Sequence, residues 1–204
     1  MKRFYFLISF IIIATFTSSL LAQQKTFIER VKLEVSGGYS IPVSPTRNGA
    51  SLSDFAGFRN FMVGANYELS NVAGLRFSYG NHMFEDSNNS SMGVTHHKLM
   101  AEGTFNILEY INKTRDPFEV IAHVGAGLSL GKSKLSSDID KMSTLQIGLM
   151  PQYRITNNFS IHLDAIYVVN FKQDYFYDGG PASVDNKQQT GGYMMLNLGL
   201  GYSF

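Results

Sequence analysis

Across residues 191–204 the chain alternates with a period of two. Gly192, Met194, Leu196, Leu198, Leu200, Tyr202 and Phe204 fall on one side, and Met195, Asn197, Gly199, Gly201 and Ser203 on the other. An extended strand turns successive side chains to opposite faces in this way. The apolar side ends in two aromatics, Tyr202 and Phe204, like a strand that crosses hydrocarbon and stops at the lipid–water boundary. Such a strand constrains everything upstream of it. Hydrocarbon supplies no hydrogen bonds, so a sheet placed there must close on itself and leave no edge unpaired.

Seven earlier segments repeat the pattern. Residues 26–40 set Phe27, Val31, Leu33, Val35 and Tyr39 against Lys32, Glu34, Ser36 and Ser40, and residues 60–69 set Phe61, Val63 and Tyr67 against Met62, Gly64 and Glu68. Segments 75–80, 98–107, 118–131, 144–154 and 159–171 continue the series, and Pro151 on the apolar side of the sixth predicts a local bulge. The links 41–57, 82–95, 132–141 and 172–189 are long, 70–73 and 156–158 are short, and 108–117 has room for one helical turn. Bacterial outer-membrane barrels have an even strand number, short periplasmic turns and longer external loops. The fold class expected is therefore all-β, a transmembrane eight-stranded antiparallel up-and-down β-barrel with both termini periplasmic.

The front of the chain fits that destination. Met1-Lys2-Arg3 is basic, residues 4–16 are apolar apart from Ser9 and Thr15, and Ala22 precedes Gln23-Gln24. This is the layout of a secretory signal peptide, giving residues 1–22 to the signal and 23–204 to the barrel domain. Taking Lys2 and Arg3 from the 17 basic residues leaves 15 against 16 acidic ones, too little positive charge for a nucleic-acid footprint. There is no cysteine for a disulfide, a thiolate metal site or a lipidated anchor. The expected partners are outer-membrane lipid and a surface or secretion protein; the chain is expected to be a monomer with no nucleic-acid partner, no cofactor and no metal.

A period of two does not by itself say which face meets lipid, because a soluble eight-stranded barrel lines its interior with the apolar face. Three features decide: the secretion signal, the terminal Phe204, and a polar face rich in glycine and small residues that suits a narrow bore better than a solvated surface. With its ending Gly199-Leu200-Gly201-Tyr202-Ser203-Phe204, the chain resembles the small eight-stranded outer-membrane barrel superfamily, which includes the OmpA transmembrane domain and the OmpX-like and PorT-like barrels. The resemblance spans residues 23–204. It implies a role in envelope integrity or surface interaction, or as a PorT-like accessory of protein secretion.

With the apolar face outward, the lumen receives Lys32, Glu34, Glu68, Arg76, Lys98, Glu102, Glu119, His123, Arg154, His162 and Asp164. Charges in a narrow bore persist when paired and hydrogen-bonded, so these residues are expected to form a structural plug. Glu68 with Arg76 and Glu119 with Arg154, each near the periplasmic turns, are the expected ion pairs. Glu34, Glu102, His123 and Asp164 share a middle depth and raise the alternative of a narrow, proton-conducting pore. Ser160, His162 and Asp164 are the residue types of a hydrolase, an alternative suggested by the lipid A-modifying enzymes on this fold. Fewer coincidences are needed for a non-enzymatic barrel, and no catalytic residue is assigned. His97 and its neighbour His96 point to opposite faces, and Asp138, Asp140, Asp174 and Asp178 read as solvated loop groups. Phe55, Tyr175, Phe176 and Tyr177 are the candidate external-loop contacts, because aromatic side chains on displayed loops suit protein or glycan recognition.

Overall fold

Each alternating segment becomes a strand: β1 (Val31–Ser44), β2 (Gly57–Glu68), β3 (Ala73–Glu85), β4 (Gly93–Asn106), β5 (Phe118–Ser133), β6 (Ile139–Arg154), β7 (Phe159–Gln173) and β8 (Gln189–Ser203). The structure, a computed structural model, describes residues 26–45, 51–111, 117–182 and 188–204; the expected signal peptide lies outside them. Every strand pairs antiparallel with the next, and β8 pairs with β1 to close the barrel. Both ends of the described chain therefore lie at one end of the barrel, the terminal end. The links 86–92 and 134–138 and the segment 174–182 lie at the opposite, loop end.

Side-chain exposure separates the two faces. Phe77 is 62% exposed, Leu128 63% and Leu198 59%, whereas their inward neighbours Arg76, Ser129 and Asn197 are 3% or less. An aliphatic belt outside and charges inside is the arrangement of a barrel that crosses a membrane. At the terminal end the belt finishes in paired rings, with Phe27 5.2 Å from Tyr67 and Phe159 5.0 Å from Tyr202. No helix among the described residues is long and apolar enough to cross a membrane.

The strands are strongly staggered. Following the ladder from Val31 through Tyr67, Leu75, Gly103, Val124, Ile147, Tyr167 and Met194 leads back to β1 at Ile41. One circuit thus climbs ten residues along β1 (41 − 31), the stagger that closure of eight tilted strands requires. Counting residues up from a turn on each strand is consequently a poor guide to which lumen side chains meet.

The strands depart from the sequence expectations at their ends and at Pro151. The strands reach well beyond the apolar periodicity at the loop end: β3 continues from Gly80 to Glu85, and β6 begins at Ile139 rather than residue 144. Outward positions there include Asn81, Glu85 and Lys141, so the hydrophobic alternation fades while the backbone ladder does not. No bulge forms at Pro151. It pairs with Val120 in unbroken register, and only the β6–β7 ladder skips residues 150 and 151, as expected where a proline has no N–H to donate. The register shifts occur at the loop end, between Gly38 and Ser40, Pro42 and Ser44, and Asn170 and Gln173. The expected helical turn after β4 is Ile107–Tyr110, capped by the Asn106 side chain, which accepts from the Glu109 N–H at 3.2 Å.

Candidate functional site

Arg76 occupies the middle of the bore, directly across the ladder from Glu102. Its Nε donates to Glu102 Oε2 at 2.9 Å and a terminal nitrogen to Oε1 at 3.0 Å, a two-pronged match of planar guanidinium to planar carboxylate. The remaining nitrogen reaches Asp164 Oδ2 at 3.4 Å and Glu34 Oε2 at 3.6 Å. His123 bridges two of the same acids, with Nδ1 2.8 Å from Glu102 Oε1 and Nε2 2.9 Å from Asp164 Oδ1. Arg76 is thus held by Glu102, Glu34 and Asp164 rather than by Glu68, which stands half-buried at the terminal mouth. The stagger of the strands carries Arg76 to the level of these acids.

The chain of contacts runs on in both directions. Lys32 lies 3.0 Å from Glu34 and donates to Gln152, whose amide donates to Glu119 at 2.7 Å; Arg154 closes that end, 2.7 Å from Glu119. Toward the loop end, Gln146 donates to Glu102 at 2.6 Å and accepts from Lys98 Nζ at 2.6 Å. Counting side chains in their ordinary ionised forms, Lys32, Arg76 and Lys98 balance Glu34, Glu102 and Asp164. Gln146 and Gln152 carry the connection between charged members, and sequence reasoning passed over both because neither is charged.

Glycine makes room for the histidines. Gly148 pairs with His123 and Gly199 with His162. A Cβ at position 148 would overlap the His123 ring and lie 2.9 Å from the Ala165 carbonyl; one at 199 would meet the His162 ring and lie 2.6 Å from Ser36 Cβ. Each imidazole therefore lies flat over a strand that offers no side chain. Ser160 and His162 do not assemble a hydrolase triad: Asp164 is engaged by His123 and Arg76, and Ser160 Oγ and His162 Nδ1 have no hydrogen-bond partner.

Above Lys98 the bore changes character. Its Nζ lies 5.6 Å from the Tyr193 ring, and Tyr193 begins a buried aromatic layer with His82, Phe84, His96 and Tyr177. Phe84 and Tyr177 meet edge to face at 4.8 Å. Two of the candidate loop contacts are corrected by this layer: Phe55 and Tyr177 are buried within it, 3% and 1% exposed, leaving only Tyr175 and Phe176 partly open. The segment 174–182 folds back across the mouth because its polar backbone finds partners there. Tyr177 donates to the Gly192 carbonyl at 2.9 Å, Ser133 to the Gly179 carbonyl at 2.7 Å, and the Asp174 N–H to Asp140 Oδ2 at 2.8 Å. Burial pushes the Tyr177 hydroxyl well above the usual tyrosine range, so it remains a donor. Asp140 and Asp178 are accordingly buried loop anchors rather than solvated groups. His96 is buried and His97 exposed, the latter 2.8 Å from the Tyr79 hydroxyl on the outer face. Among the described residues no three His, Asp or Glu side chains converge as metal ligands.

A barrel of this strand number, pairing and outer belt is similar to Neisserial surface protein A, with a TM-score of 0.58 at 15% identity over 85% of this chain and 97% of that one. The chain has the fold of the small eight-stranded outer-membrane barrels. Two further likenesses are the amino-terminal barrel domain of Pseudomonas aeruginosa OprF (TM-score 0.49, 15% identity, 85% and 97% covered) and Yersinia pestis Ail, the attachment invasion locus protein (0.45, 20%, 85% and 98%). No protein-family model matches the chain, and no curated protein matches it by sequence.

Proposed function

We propose that this chain is a non-enzymatic outer-membrane barrel whose lumen is plugged by its own side chains and which acts in envelope integrity or surface interaction through its loop end. One observation carries the reading: an unbroken series of ion pairs and hydrogen bonds from Arg154 through Lys32, Arg76 and Glu102 to Lys98, roofed by the Phe84–Tyr177–Tyr193 layer. A mobile ion entering the bore must break charge pairs held in low dielectric, which is costly. The terminal end is assigned to the periplasm, supported by the two four-residue turns 69–72 and 155–158 on that side, where 107–117 is the one long link, against links of 5 to 15 residues opposite.

Planar-bilayer recordings of the refolded full-length chain test the plug. Stretches of recording without single-channel steps are expected across neutral and mildly acidic pH. Frequent, stable open levels would sink the plugged reading and favour the narrow pore.

A further inference from the structure

Charges on the outside of the barrel need an explanation, because most of that surface meets hydrocarbon. Arg59 and Lys134 both pair with Glu85. Lys132 on β5, Lys141 on β6 and Lys172 on β7 are exposed, and no ion pair or hydrogen bond joins the side chain of any of them to another described residue. They occupy three successive strands. Lys132 pairs with Ile139 and Leu130 with Lys141, so the first two lysines are diagonal neighbours, about 7–8 Å apart by sheet geometry. Ser143 pairs with Phe171, which brings Lys172 alongside Lys141 from the other side.

Lys172 reaches this face through a distortion of the backbone. Asn170 faces the bore and Phe171 faces out, so strict alternation would send residue 172 inward. Instead Lys172 adopts φ 63°, the β7–β8 register shifts between Asn170 and Gln173, and it is Gln173 that turns into the bore. A left-handed conformation is uncommon for a residue with a Cβ, and bulges re-aim side chains. Here the bulge moves an ammonium group from the lumen to the rim.

The height of the patch matches a headgroup. Phe118 and Tyr153 face each other at the terminal end of β5 and β6, and Lys141 lies 12 residues from Tyr153 (153 − 141). At ~3.4 Å per residue and ~40° of tilt this is roughly 30 Å, just beyond an apolar band ~25 Å tall. Below the lysines, the lipid face of the same strands holds an apolar depression of about 720 Å³, lined by Ala122, Val124, Ile147, Ala165 and Tyr167 among others. Ile147 is six residues down β6 from Lys141 (147 − 141), roughly 15 Å along the barrel axis and within reach of an acyl chain.

We propose that Lys132, Lys141 and Lys172 bind the phosphate of an anionic membrane lipid, one of whose acyl chains lies in the depression below. Three like charges at a low-dielectric boundary repel one another until an anion joins them, and basic side chains at a membrane surface attract anionic lipid. With the terminal end periplasmic, as proposed for the function, this lipid belongs to the outer leaflet. The test does not depend on it, because detergent micelles have no sides.

The full-length chain is equilibrated in micelles with equal phosphatidylglycerol and phosphatidylcholine of the same acyl chains, and retained lipid is read by native mass spectrometry. The wild type is expected to keep phosphatidylglycerol preferentially. Each lysine near an anionic surface contributes on the order of fivefold, so K132Q/K141Q/K172Q should lower the preference by tenfold or more. K134Q, whose ammonium is already paired with Glu85, should leave it within about twofold, below the effect of one unpaired lysine. Filling the depression with Ala165→Phe should reduce retention of both lipids alike. Heat-modifiable gel mobility verifies that each variant is folded. Equal retention of the two lipids by the wild type, or a triple variant that behaves as the wild type, would overturn the proposal. Displacement of the lipid by excess inorganic phosphate would reassign the site to free phosphate and overturn it equally.

Discussion

Arg76 concentrates the energetics of the lumen, since Glu102, Asp164, Glu34 and His123 all turn toward it. Arg76→Ala leaves these acids buried without their main counter-charge and is expected to cost about 3–5 kcal/mol, the range for breaking one side of a buried pair. Removing Glu102 as well should cost less than the two single changes combined, because the pair is lost together. Urea unfolding of the barrel in detergent measures both. The members of this cluster are visible in the sequence as charges on the inward period, but their partnerships are not. A ten-residue climb around the circuit decides who meets whom, and no single strand records it. The pairing of each imidazole with a cross-strand glycine, His123 with Gly148 and His162 with Gly199, is a signal recoverable only once register is known.

At the scale of elements, what the hydrophobic pattern reports is the membrane, not the strand. β3 and β4 were legible as far as Gly80 and Lys98 and then continue through His82, Phe84, Val94 and His96, where outward polar residues such as Asn81 and Thr95 interrupt the alternation. Most of the aromatic cover was missed for the same reason: His82, Phe84 and His96 belong to strand extensions and Tyr177 to a link that sequence reasoning read as displayed, while Tyr193 sits on the inward period of β8, where nothing in the alternation shows that other rings meet it. Segment 174–182 is anchored by Tyr177, and Tyr177→Ala removes both a buried ring and a hydrogen bond to the Gly192 carbonyl. A loss of about 3–5 kcal/mol is expected if the vacated space stays open. The barrel below should remain intact, so the variant should keep its heat-modifiable mobility while amide exchange accelerates over 174–182. Slow exchange in that segment would show that the anchor lies elsewhere.

For the molecule as a whole, the outer belt predicts a cost graded by depth. Leu198→Arg, near the middle, should destabilise by about 2–4 kcal/mol, and Tyr202→Arg, at the girdle, by no more than about 1. Equal costs in unfolding from lipid vesicles would contradict the position of the belt. The fold was legible because every segment obeys one period, whereas the site was not, because it is made by closure. The seam between β1 and β8 has a temporal side: Lys32 finds its neighbour in Ser203, almost the full length of the chain away. The first strand cannot be sealed until the last arrives, and contacts so distant in sequence form slowly. Until that moment β1 carries an open edge in the presence of other unfinished chains. A protein built this way is most exposed to aggregation during its biogenesis, just before the ring is joined.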